Sequence, residues 1–138
     1  MKHLFTNYTQ DKKTSFVLLL MRLVLGLGMA LHGWPKIQNA TAWAGDSFPP
    51  VMQALAAFSE FAGGLAWIFG ALTCLSSFGI FCTMGVAVYV HAVVKGDPFV
   101  GKEGSYELAL IYLVFATLLM VIGAGKFSVD QLLFKSKK

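Results

Sequence analysis

Four apolar runs, each close to the length needed to cross a bilayer, account for most of this sequence. A spanning helix needs about 20 mostly apolar residues, because a hydrocarbon core roughly 30 Å thick is crossed at about 1.5 Å per residue. The runs lie at about 15–34, 51–75, 78–94 and 105–123, so little of the 138-residue chain is left to fold in water. Composition agrees: 57% of the residues are hydrophobic and 13% charged, and the mean hydropathy is +0.67, far from the balance of a soluble domain. The expected fold is all-α, an integral membrane four-helix up-down bundle forming a single transmembrane domain.

The breaks between the runs carry turn chemistry. Helix one is closed by Pro35, which disfavours helix in the residue before it. A polar stretch with Lys36, Asn39, Trp43, Asp46 and Pro49-Pro50 follows as a loop. Helix two carries a row of small residues at Ala56, Gly63, Gly64, Gly70 and Ala71, a pattern suited to close helix packing. Thr73, Ser76 and Ser77 allow a tight hairpin before helix three, and Lys95-Gly96-Asp97-Pro98 stops helix three. After helix four the 124–138 tail is amphipathic and basic, with Phe127, Val129, Leu132, Leu133 and Phe134 against Lys126, Lys135, Lys137 and Lys138. It is expected to lie along the membrane surface.

A net charge of +4 raises the question of a nucleic-acid partner. The basic residues cluster at the two ends rather than along an aromatic-studded face, so none is expected. They read as topology signals, since basic residues are retained on the cytoplasmic side. Lys2, Lys12, Lys13, Arg22, Lys126, Lys135, Lys137 and Lys138 fall on one side; Lys36, Lys95 and Lys102 fall on the other. Both termini are therefore expected in the cytoplasm. Arg22, close to the inner interface, is expected to snorkel and anchor. Lys12 and Lys13 before an apolar run, with Ala40-Thr41-Ala42 after it, resemble a secretory signal, but the run is too long for one. Cys74 and Cys82 form neither a CxxC pair nor a zinc-like spacing and are expected as free thiols.

An up-down topology brings the end of helix one, the start of helix two, the end of helix three and the start of helix four to one side of the membrane. Those places hold His32, Glu60, His91 and Glu107, with Lys36 one turn beyond His32. A charge near a helix centre costs roughly 2.5–3.5 kcal/mol, and each Leu, Ile, Phe or Val returns about 0.3–0.6. Nine such residues in helix two return roughly 3–5 kcal/mol, so that helix is marginal alone and Glu60 needs a partner. Two readings stand side by side: the cluster is a site, or its members hydrogen-bond across helices and lock the bundle. Glu107 also complements the dipole at a helix start.

The sequence resembles the DoxX family of small bacterial four-helix membrane proteins. The resemblance rests on "RLVLGLGMALHGWPK" with Arg22, Gly26, His32-Gly33 and Lys36, and on "EFAGGLAWIFG" with Glu60, Gly63-Gly64 and Gly70. It continues through His91 before a Gly-Asp-Pro-Phe turn, "GSYELALIYL" with Tyr106-Glu107-Leu108, and Gly123-Ala124-Gly125-Lys126-Phe127-Ser128-Val129-Asp130. Thr73-Cys74 stand where the family often has a basic residue.

The resemblance implies residence in the bacterial cytoplasmic (inner) membrane and association with quinone-linked oxidoreduction, as the family is named for subunits linked to thiosulfate:quinone chemistry. Its recurring polar positions fall on Arg22, His32, Lys36, Glu60, His91 and Glu107. On this reading Glu60, His32 and His91 relay protons or contact a quinone, while Lys36 and Glu107 help to bind it. Without a dinucleotide fingerprint or an iron–sulfur cysteine set, electrons would come from a partner protein. The competing reading is a non-catalytic anchor or assembly partner, with a homo-oligomer compatible with either. A haem or metal centre ranks lower, since the Glu-x-x-His spacing of di-iron bundles is missing; no metal ligand set is assigned. A transporter ranks lower still, for want of an inverted repeat of interrupted helices.

Overall fold

A computed structural model describes residues 10–134 and shows an all-helical chain. Helix α1 spans Lys12–Gln38, α2 Pro50–Phe69, α3 Thr73–Tyr89, α4 Glu107–Ile122, and a short α5 Val129–Leu133. A π-helical turn, Val90–Val94, prolongs α3. Consecutive long helices pack on each other, α1 on α2, α2 on α3 and α3 on α4. Three of them, with α3 counted through Val94, are long and apolar enough to cross a membrane. Helix α4 is a shorter apolar helix of 16 residues, about 24 Å long.

Polarity is distributed inside out. Val24, Leu31, Val51, Phe58, Leu75, Val114 and Val121 all face outward, an apolar exterior that only lipid or another apolar surface can cover. The interior holds Leu18, Met29, Trp67, Ile80, Met84, Tyr112, Phe115 and Leu119. Trp67 organises it: its ring meets Phe115 edge-on at 5.0 Å, and its Nε1 donates to Ser77 Oγ at 2.9 Å. One side chain thus joins α2, α3 and α4, with the buried indole N–H satisfied.

Helices α1 and α2 touch backbone to backbone. A Cβ at Gly64 would strike Ala30 N and Gly26 O, and one at Gly33 would strike the Phe61 backbone. Gly63 faces α3 instead, against Ile80. The expected packing row in helix two therefore serves two neighbours, since successive glycines on a helix point to different faces.

Several boundaries differ from the sequence expectation. Helix α1 begins at Lys12 rather than Ser15, because Asp11 caps it and accepts from Thr14 N at 2.9 Å. It continues through Pro35 to Gln38; a proline removes one intrahelical bond, and a single remaining turn survives that loss. Helix α2 stops at Phe69 rather than Leu75. Gly70 (φ 64°) caps it in the left-handed region, and Leu72 (φ 47°) follows there too. Thr73, Ser76 and Ser77 consequently sit within the first two turns of α3 rather than in the hairpin, and α3 starts at Thr73 rather than Phe78.

The tail departs most from expectation. Residues 124–130 turn back into the bundle, with Ala124, Ser128 and Asp130 buried. Phe127, Leu132, Leu133 and Phe134 keep the outward apolar character expected of a surface segment. The reason is polar: Arg22 and the start of α3 need partners that this segment supplies. Lys2, Lys135, Lys137 and Lys138 lie outside the described residues.

Candidate functional site: a buried ion pair under a loop

Glu60 lies nearly three turns inside α2 and is almost wholly buried. Its Oε1 meets Lys36 Nζ at 2.6 Å, and Lys36 is itself about a quarter exposed. Lys36 can reach it because α1 continues past Pro35 and because the glycine contacts draw α1 against α2. The same ammonium sits 4.4 Å from the centre of the Trp43 ring, within cation–π range. Glu60 Oε2 is buried, and no described residue hydrogen-bonds it. An unpaired carboxylate oxygen in a dry interior is costly, and it can take a proton or accept a hydrogen bond from a bound group.

The loop above this pair is anchored by Gln53, in the first turn of α2. Its Oε1 accepts from Ala44 N at 2.8 Å, and its Nε2 donates to Gly45 O and Phe48 O, both at 2.7 Å. Its backbone carbonyl accepts from Trp43 Nε1 at 2.9 Å. Gln53 was not visible as a site residue in the sequence, where it is a lone amide at a helix start.

The remaining expected residues are placed around the same end without converging on one point. His32 is exposed on α1, edge-on to the ring of Tyr112 on α4 at 6.2 Å. The Tyr112 hydroxyl lies where a Cβ on Gly28 would fall, so α4 fits against α1 through a phenol that sequence reading had not singled out. His91, in the π-helical turn, bonds Asp97 Oδ2 through Nδ1 at 2.6 Å, and its carbonyl accepts from Asp97 N at 2.8 Å. Asp97 reads in sequence as a helix stop, and its carboxylate role is not legible there. Glu107 is half-buried at the start of α4, and its backbone N–H donates to Phe99 O at 3.2 Å. Among the described residues, no three His, Cys, Asp or Glu side chains converge as a metal site.

A second polar centre lies about 21 Å along α1 from Lys36, at 1.5 Å per residue. Arg22 is fully buried rather than snorkelling. It donates through Nη1 to Ala124 O and through Nη2 to Phe127 O, both at 2.7 Å. Gly70 closes over it, since a Cβ there would strike the guanidinium. Asp130 accepts from Leu72 N at 2.7 Å and Thr73 N at 2.8 Å, and its own N–H donates to Gly70 O. A carboxylate from the tail thus caps α3 from a distance, where orphan N–H groups and the helix dipole favour an anion. It also holds Leu72 in its left-handed conformation and lies near enough to Arg22 to offset its charge.

The fold and this arrangement define a polytopic helical membrane protein, knotted at one end by an Arg–Asp network and carrying a buried Lys–Glu pair near the other. A model of the DoxX family matches residues 17–92, more than half of the chain, and the chain belongs to that family. No curated protein and no solved structure matches it.

Proposed function

We propose that this chain spans the bacterial cytoplasmic membrane four times, with both termini inside, as the membrane subunit of a quinone-linked oxidoreductase whose proton-handling group is Glu60. The observation that carries this reading is the state of Glu60: buried, ion-paired through one oxygen and unpartnered at the other. Two-electron reduction of a quinone consumes two protons, and a carboxylate in a dry site can store and deliver one. Lys36 compensates the carboxylate once its proton has left. Exposed His32, beside Tyr112, faces the direction from which a lipid-borne head group would arrive and can hydrogen-bond a carbonyl oxygen. His91, oriented by Asp97, is the second candidate donor, and Glu107 stands at the rim.

Electrons would come from a partner protein, since Cys74 and Cys82 are both free and the sequence holds no dinucleotide fingerprint. The test is Glu60→Gln in the native membrane complex, assayed with a short-chain ubiquinone. Quinone reduction should fall by about a hundredfold or more, within the range typical for loss of a general acid–base. Unchanged turnover refutes the role of Glu60.

The second reading, a non-catalytic anchor or assembly partner, is favoured by the exposed apolar face of Leu132 and Leu133 on α5. It predicts a constant partner that co-purifies equally well with Glu60→Gln and His91→Ala proteins.

A further inference from the structure

The segment 39–49 is built with more care than a connector needs. Gln53 is 1% exposed, yet its amide has every strong bond directed at this loop: one accepted from Ala44 and two donated to Gly45 and Phe48. A buried amide so fully satisfied fixes the backbone it touches. The same residue also fixes the indole, through the bond from Trp43 Nε1 to its carbonyl. The indole in turn lies against the Lys36 ammonium, and that ammonium sits on Glu60. Gln53, Trp43, Lys36 and Glu60 thus form one mechanical series running from loop to buried carboxylate.

The burial of its members gives the series a direction. Trp43 is half-buried, the Lys36 side chain 27% exposed and that of Glu60 2%. Water reaches Trp43 and Lys36, while Gln53 under the loop and Glu60 at the end of the series are shielded from it. The opposite end of the bundle is closed by Arg22, Asp130 and the folded tail, so the loop end is the side from which a water-borne proton can approach Glu60.

We propose that the segment 39–49 is a gate on Glu60, in which Gln53 and Trp43 are positioning residues that hold the Lys36 ammonium against the carboxylate. When the indole lifts, Lys36 swings outward along its flexible stem and Glu60 meets water; when it returns, the pair closes. Among the described residues Lys36 is the charged group within ion-pair distance of Glu60, while His91 is engaged with Asp97, so the ammonium is the element the gate moves. The inference rests on the proposed role of Glu60 for its meaning, but the gate itself can be read without any quinone.

The experiment follows the reactivity of the Lys36 amine in the purified chain in lipid nanodiscs, using a water-soluble acetylating ester and peptide mass spectrometry. Lys102, on an exposed loop, is the reference amine. Trp43→Ala and Gln53→Leu should each raise the Lys36 rate relative to Lys102 by about five- to tenfold, the shift expected from losing one contact of cation–π strength. Trp43→Phe, which keeps a ring face but loses the Nε1 bond to the Gln53 carbonyl, should fall between the wild-type and Trp43→Ala rates. Alkylation of half-buried Cys74, near the other end of the bundle, should be unchanged. Equal Lys36 rates in wild type and both gate variants would overturn the proposal, as would an equal acceleration at Cys74, which would mean general loosening. A gate confirmed here alongside quinone turnover indifferent to Glu60→Gln would remove the proposed function and leave the gate.

Discussion

Replacing Asp130 should cost more stability than its place near the end of the chain suggests. Its carboxylate accepts from Leu72 N at 2.7 Å and from Thr73 N at 2.8 Å. Hydrogen bonds to a charged group contribute roughly 1.5–3 kcal/mol each, so Asp130→Ala removes about 3–6 kcal/mol and also leaves the buried Arg22 without its nearby countercharge. Asp130→Asn keeps one acceptor oxygen and should lose about half as much. Because Arg22 and Asp130 hold the same segment, Arg22→Met combined with Asp130→Ala should cost clearly less than the sum of the two single changes. The assay is equilibrium unfolding in mixed micelles titrated with a denaturing detergent and followed by helical ellipticity, with amide exchange at Leu72 and Thr73 as the local probe. A loss within about 0.5 kcal/mol for Asp130→Ala, the size of an ordinary surface substitution, would refute the idea that the tail is a structural cap.

Three further outcomes follow. Lys36→Met should destabilise the bundle by about 3–5 kcal/mol by stranding a buried carboxylate, whereas Lys36→Met with Glu60→Leu should be close to neutral; the same detergent titration measures both. At the N-terminus of α1, the Thr14 hydroxyl and then its N–H hold the Asp11 carboxyl below its ordinary value of 3.8. The cap is therefore intact above the usual carboxylate range and is lost as the pH falls below it, so the Thr14 amide should lose exchange protection in acid, and Asp11→Ala should abolish that dependence. Finally, with Cys74 and Cys82 replaced, single cysteines at Thr41 and Val100 should both react with an impermeant maleimide from outside intact spheroplasts. Labelling from opposite faces would contradict the proposed topology.

The helical architecture was legible because it depends on apolar run length, which the bilayer dictates directly. The need of Glu60 for a partner was legible too, from the cost of a lone charge in a span, and Lys36 was in the expected set. What sequence could not show was the choice among partners. His91 stood as well placed as Lys36 until the fold paired it with Asp97 six residues on. The misplaced hairpin has a local cause: Thr73, Ser76 and Ser77 look like turn residues, while the turn uses Gly70 and a left-handed Leu72 whose N–H donates to Asp130. Arg22 looked like an interfacial anchor because its partners are backbone carbonyls of a segment 102 and 105 residues away, and carbonyls carry no sequence signature. The Gly-Ala-Gly-Lys-Phe-Ser-Val-Asp stretch resembles the family, but its amphipathic pattern points to the membrane surface. Its work is done by one carboxylate, one serine and its main chain.

The most direct test of the account is an infrared difference spectrum of the native membrane complex, recorded between the oxidised and reduced states of an added short-chain quinone. A carbonyl band of a protonated carboxylic acid should change on reduction and vanish from the difference spectrum in Glu60→Gln. Identical spectra for wild type and Glu60→Gln would show that Glu60 keeps its protonation state throughout and that the pair with Lys36 is a lock alone.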